Sequence, residues 1–309
     1  MKSKADSGAL ARKYIVPPFS ILDSRQGYWT KRKRLWKKYI HSENGRNDGL
    51  LGKSLAVLAK KHGNNLTGTS IFDPVLTEFA IHWFCPQNGR IIDPFAGGSV
   101  RGIVSSFLGN EYFGVDLSER QIEANYANFA EVQHMKDIHG NLLKSPKWFV
   151  GDSRNIDGVA SGKFDFLLTC PPYHDLEIYS DDERDLSNMN YDEFVIAYND
   201  IIKKSCNLLK DDSFAVVVIG EIRDKKGIYR NFKNDTITAF QNAGLKFYND
   251  CVFVEQAGTA VLRAGRQFNA SRKVVKTHQN VLVFLKGDMK NTIEKLELRE
   301  YDIENILSA

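Results

Sequence analysis

The sequence predicts an α/β protein built on a doubly wound, mostly parallel sheet, closed by an antiparallel hairpin and preceded by a basic arm. Three observations carry that expectation. From about residue 67, strand-length apolar runs alternate with segments of helical period, as in the crossover units of a parallel sheet. The early runs end in acidic or glycine-rich turns, Asp93-Pro94-Phe95-Ala96-Gly97-Gly98-Ser99 and then Val115-Asp116. The charge is also lopsided: residues 1–66 hold 15 Lys/Arg against 4 Asp/Glu, a net +11 in a chain of 309 residues whose total is +4.

Residues 1–66 form the arm, punctuated by Gly45, Gly49, Gly52 and Gly63-Asn64-Asn65, with short helices expected near 26–40 and 52–61. Asp73 and Pro74 then open a helix running to Phe84, as N-cap and first helical residue. Its apolar positions 75, 76, 79, 80, 83 and 84 share one face. Arg90-Ile91-Ile92 starts the first strand of the sheet, Val100 to Leu108 is the next helix, and Tyr112 to Asp116 the second strand. Ser118 caps a helix to about Gln133, with Gln121 placed as its capping-box partner. Lys147 to Val150 is the third strand and Phe164 to Thr169 the fourth. Tyr191 to Leu209 is a long helix, Phe214 to Ile219 a strand, and Asp235 to Ala243 another helix. Phe247–Val254 and Val281–Leu285 have no helical pattern between them and read as a hairpin with a long insert. The main domain is thus 67–288, and 289–309 is a charged, amphipathic tail.

Apolar residues make up 42% of the chain and aromatics 11%, enough for a sizeable core. No apolar run approaches the roughly 20 residues of a membrane span, and the N-terminus has no apolar segment of a secretory signal. Four cysteines without CxxC spacing argue against a zinc site and against a disulfide framework. The expected setting is a reducing cytoplasm, with no metal; the oligomeric state is not encoded in any visible pattern.

Ligands of such sheets lie beyond the carboxyl ends of the strands. Asp93, Asp116 and Asp152 all fall there. Gly97 and Gly98 let the backbone bend close to a ligand without a Cβ clash. Asp116 follows them by about 20 residues, where a ribose-binding acid belongs in a dinucleotide fold. The fourth strand ends in Thr169-Cys170-Pro171-Pro172-Tyr173, a stiff corner, because proline fixes φ and has no N–H.

Asp93 to Ser99 and Cys170 to Tyr173 together resemble the S-adenosylmethionine-dependent amino-methyltransferases of DNA, over about residues 68–287. The likeness is greatest to those of phages and mobile elements. It implies a Rossmann-like methyltransferase sheet. It also implies that Asp93, Phe95 and Gly97, with Ala96, Gly98 and Ser99 in the same motif, line the methionine end of the cofactor. Asp116 would bind the ribose hydroxyls and Asp152 the adenine amino group. Asp73-Pro74 stands where the family more often has His-Pro-Thr, which makes Asp73 a further candidate contact. Cys170, Pro171, Pro172 and Tyr173 occupy the catalytic tetrapeptide, usually Asp/Asn/Ser-Pro-Pro-Tyr/Phe. There the first side chain and the following carbonyl accept hydrogen bonds from the target amino group, freeing its lone pair for attack on the methyl. The aromatic stacks on the extruded base.

A thiol is a weak acceptor, so Cys170 departs from the family. His174, Asp175 and Glu177 are candidate substitutes, and attack by Cys170 on pyrimidine C6 is the minor alternative. The acidic stretch from His174 to Tyr191 reads as a lid, with Tyr179 and Tyr191 as stacking groups. Lys31, Arg32, Lys33 and Arg34 in the arm, and Arg263, Arg266, Arg272 and Lys273 in the hairpin insert, are the candidate contacts to double-stranded DNA. The expected activity is site-specific methylation of adenine N6, ahead of cytosine N4, by base flipping. The rivals are an RNA amino-methyltransferase and a nucleic-acid-binding protein with a degenerate methyltransferase fold.

Overall fold

Two strands show how the sheet acquires its two covers. In β6 (Leu209–Ile219), Phe214, Val216 and Val218 face one apolar layer while Ala215, Val217 and Ile219 face the other. β8 (His278–Lys286) repeats the pattern, with Val281, Val283 and Leu285 on the first side and Leu282 and Phe284 on the second. Strands apolar on both faces must be covered on both, and helices supply the covers. The computed structural model describes residues 3–40, 71–173, 182–258, 260–299 and 301–308; the helix expected at 52–61 lies outside them.

The other elements, in chain order, are α1 (Ser3–Tyr14), β1 (Ile21–Asp23), α2 (Gly27–Trp36), α3 (Pro74–Phe84), β2 (Arg90–Asp93), α4 (Val100–Phe107) and β3 (Glu111–Asp116). Next come α5 (Glu119–Val132), β4 (Lys147–Val150), α6 (Ile156–Val159), β5 (Phe164–Thr169) and α7 (Tyr191–Leu208), which leads into β6. α8 (Phe232–Asn242), β7 (Lys246–Val254), α9 (Ala260–Ser271), β8, α10 (Met289–Glu294) and α11 (Ile303–Ser308) complete the order. The sheet runs β1-β7-β8-β6-β5-β2-β3-β4. Neighbours are parallel except where β8 runs antiparallel to β6 and β7. The expected doubly wound sheet with an antiparallel closing pair is therefore present. Its order reverses between β5 and β2, which opens a crevice at their carboxyl ends.

Local signals behave as expected at several ends. Asp73 caps α3 by accepting from Val75 N at 2.9 Å, with Pro74 as the first helical residue. Ser118 accepts from Gln121 N at 3.2 Å, but the Gln121 side chain turns to Asn125, so the box is half made. Asn190 and Glu193, at the start of α7, make the full reciprocal box.

Two expectations need correction. The described part of the arm is built into the fold. Ser20 to Asp23 pair along the β7 edge, and Trp29 and Trp36 are completely buried against α3 and its neighbours. Trp29 packs on Phe79 and Phe253, and Trp36 on Phe107. Removing such an aromatic costs about 3–5 kcal/mol. The hairpin insert, expected to have no helix, contains α9 over about half of its length. Gly265 in mid-helix and the lack of any buried face conceal α9 from a search for core periodicity. The charged tail forms α10 and α11, and Ile303 and Leu307 of α11 are buried in the same core as Trp36. Among the described residues, no helix is long and apolar enough to cross a membrane.

Candidate active site

The glycine-rich turn after β2 is held from beneath. Asp93 is fully buried and accepts from Arg101 Nε at 2.5 Å, the Tyr112 and Thr169 hydroxyls at 2.7 Å each, and Phe95 N at 3.1 Å. Arg101 also donates to the carbonyls of Phe95 and Ala96, at 2.6 and 2.9 Å. A buried carboxylate is tolerated when its oxygens are satisfied in this way. Asp93 thus sits below the turn, away from the cavity wall, and its partners Arg101, Tyr112 and Thr169 escaped the sequence reading. Ala96 and Ser99 are buried with it. Ala96 lies so close to β3 that a Cβ on Gly114 would come within 2.8 Å of the Ala96 methyl.

Phe95, Gly97 and Gly98 do reach the cavity, and Gly97 adopts φ +49°. Asp116 Oδ2 accepts from Gly97 N at 2.8 Å while its Oδ1 accepts from Ser118 N at 2.9 Å. The carboxylate at the end of β3 therefore fixes both the turn and the start of α5. Asp152 caps the short turn Ser153–Asn155 and pairs with Arg154 at 2.7 Å. The cavity that these residues share measures about 740 Å³. Asp73 also lines it, although its carboxylate is already used by Val75 N, Trp29 Nε1 and Lys33 Nζ.

The candidate catalytic corner forms the adjoining wall, with Cys170, Pro171, Pro172 and Tyr173 all lining the same cavity. Cys170 is half-buried, its sulfur 3.6 Å from the Tyr173 hydroxyl oxygen. That hydroxyl donates to Gln279 Oε1 at 2.9 Å, and Gln279 Nε2 donates to Glu255 Oε1 at 3.0 Å. Glu255 and Gln279 line the cavity too, and neither was expected from the sequence. The only local hint is a polar Gln279 at the start of an apolar strand. Burial pushes the Glu255 carboxyl above the ordinary glutamate value, against the lowering effects of the Gln279 hydrogen bond and Lys33.

His174, Asp175, Glu177 and Tyr179 fall outside the described residues. Tyr191, expected as a stacking group, is instead tied into packing. Its hydroxyl donates to Asp235 at 2.6 Å, and the Arg230 guanidinium lies 4.6 Å over its ring.

The basic candidates divide. Arg32 makes a two-pronged pair with fully buried Glu78 at 2.6 and 2.7 Å, Lys33 pairs with Asp73 at 2.8 Å, and Lys31 pairs with Glu304 at the surface. Lys33 and Arg34, joined by Lys37, line the cavity. Arg263, Arg266 and Arg272 are exposed on or just after α9 and are not among the cavity's lining residues, and Lys273 is half-buried alongside Gly227.

No family model matches the chain, and no curated protein matches it in sequence. Among solved structures it is similar to TrmN from Thermus thermophilus, at 14% identity and a TM-score of 0.45, covering 69% of this chain and 48% of that one. The chain thus spans about half the length of that structure. It is also similar to magnesium protoporphyrin IX methyltransferase from Synechocystis PCC 6803 with bound S-adenosylmethionine, at 11% identity, a TM-score of 0.44 and coverage of 82% and 90%. A methyltransferase from Pyrococcus furiosus is similar at 14% identity and a TM-score of 0.43, with coverage of 76% and 98%.

Proposed function

We propose that the chain is an S-adenosylmethionine-dependent methyltransferase. It would act on the exocyclic amino group of a base flipped out of double-stranded DNA, adenine N6 ahead of cytosine N4. One observation carries the reading: a single cavity brings Gly97, Asp116 and Asp152 together with the Cys170–Tyr173 corner. Its volume is in the range of small-molecule sites. The residues present fit the cofactor. Carboxylates at the ends of strands suit ribose hydroxyls and an adenine amino group, and Gly97 and Gly98 present backbone where a side chain would intrude.

Bound there, S-adenosylmethionine would supply an electrophilic methyl group on a sulfonium. The chain's own part is to orient the reacting groups. Arg101, Asp93 and Thr169 tie the glycine-rich turn to the end of β5, and so join the cofactor wall to the catalytic corner through one hydrogen-bond network. Pro171 and Pro172 stiffen the corner that receives the base. Arg34 in α2 and Lys37 just after it add positive charge to this wall, which suits a phosphate-bearing substrate.

Incubation with labelled cofactor and unmethylated duplex DNA, followed by nucleoside mass spectrometry, tests the proposal. N6-methyladenine or N4-methylcytosine is expected. Label entering only RNA would move the substrate to RNA, and no cofactor binding by calorimetry at millimolar concentration would leave a nucleic-acid-binding fold without catalysis.

A further inference from the structure

At the first position of the catalytic corner stands a thiol, and a thiol accepts hydrogen bonds poorly. The groups around it have a fixed polarity. An ionised carboxylate can only accept, so Glu255, just beyond β7, must receive the Gln279 amide nitrogen, which lies at 3.0 Å. The Gln279 oxygen is then turned toward Tyr173, and the phenol must donate to it, at 2.9 Å. A phenol has one proton. With that proton committed to Gln279, the Tyr173 oxygen is an acceptor toward its other neighbours, and it lies 3.6 Å from Cys170 Sγ.

We propose that the Tyr173 phenolic oxygen accepts the hydrogen bond from the target amino group that residue 170 cannot accept well. Glu255 and Gln279 are positioning residues that fix its polarity. The inference rests on the amino-methyl transfer proposed above. It assigns the Tyr173 hydroxyl a role that a bare ring could not fill, since only tyrosine brings an oxygen to the corner. It also places the replacement acceptor in the corner itself, oriented by Gln279 of β8, rather than in the segment after the corner.

The polarity depends on protonation. Glu255 faces Gln279 from β8, Lys33 from α2 and Asp73 at the cap of α3. Once Glu255 takes a proton it can donate, the Gln279 amide can turn over, and the Tyr173 proton is released toward the corner. Burial raises the Glu255 carboxyl, so the acceptor is present above that raised value and is lost as pH falls through it. An acidic limb in kcat, above the usual glutamate range, is the expected signature.

The test measures kcat and KM on duplex DNA for the wild type, Tyr173→Phe, Cys170→Asp, the double variant and Glu255→Gln. Tyr173→Phe keeps the ring and is expected to lower kcat about 10-fold, with KM for DNA within about 2-fold. Adding Cys170→Asp restores an acceptor at the first position and should recover kcat to within about 3-fold of the wild type. Glu255→Gln should lower kcat and abolish the acidic limb. Wild-type kcat in Tyr173→Phe overturns the inference alone, as does a loss that Cys170→Asp fails to recover. Absence of methyl transfer by the wild type overturns the inference together with the reading beneath it.

Discussion

In α2, four consecutive cations, Lys31 to Arg34, lie between Trp29 and Trp36; in α9, Arg263 and Arg266 lie among Val261, Leu262 and Phe268. The letters are alike, basic residues interleaved with large apolar ones, yet the surroundings differ. Both tryptophans of α2 are fully buried, and Arg32 on their face ends on the buried Glu78, which also accepts from Trp36 Nε1 and the Tyr301 hydroxyl at 2.8 Å each. α9 buries none of its side chains, and its Val261 and Leu262 are about two-thirds exposed. Two tryptophans seven residues apart mark one helix face as core, and a cation on that face needs a carboxylate opposite it. A helix with no such face keeps its cations for solvent or for a polyanion.

The largest effect that would sharpen this contrast is on stability. Glu78→Ala leaves the Arg32 guanidinium without its partner beneath α2, and a loss of about 3–5 kcal/mol is expected in urea unfolding. Arg263→Ala on α9 should stay within about 0.5 kcal/mol of the parent. Comparable losses from the two substitutions would erase the distinction.

The proposed cofactor wall supplies the next effect in size. Asp116 holds two backbone N–H groups and faces the cavity beside α2's own lining residues. Asp116→Ala is expected to weaken S-adenosylmethionine binding about 10- to 100-fold by calorimetry, from the loss of charge-assisted hydrogen bonds. An unchanged dissociation constant would remove Asp116 from the cofactor site and leave it only the shaping of the turn.

What could be read from the sequence follows from the distance over which each residue acts. β4 and β5 lie at Lys147–Val150 and Phe164–Thr169 as expected, because strand periodicity and bounding turns are local. The Asp73 cap and Gly97 were legible for the same reason. β1 was not, since three residues become a strand only when the β7 edge is there to pair with them. Asp93 read as a ligand acid because its strand-end place is local, whereas the hydroxyl of Thr169 that helps to occupy it comes from 76 residues away. The same holds for Tyr173 and Gln279, 106 residues apart. Cys170 looked like a defect in a motif read along the chain. In three dimensions it sits beside a tyrosine whose hydroxyl is steered from another strand.

The smallest effect bears on which basic helix would meet DNA under the proposed function. Each phosphate neutralised contributes about 0.9 to the slope of log affinity against log salt on duplex DNA. Arg263→Glu with Arg266→Glu on α9 should therefore lower the slope by roughly 2, with folding unaffected, if both side chains touch phosphate. Lys31 and Lys33 of α2 are spent partly on Glu304 and Asp73, while Arg34 and, just past the helix, Lys37 line the cavity. Arg34→Glu alone should lower the slope by about 1. Equal slopes for the parent and the α9 variant would leave the exposed apolar and basic surface of α9 outside any DNA interface.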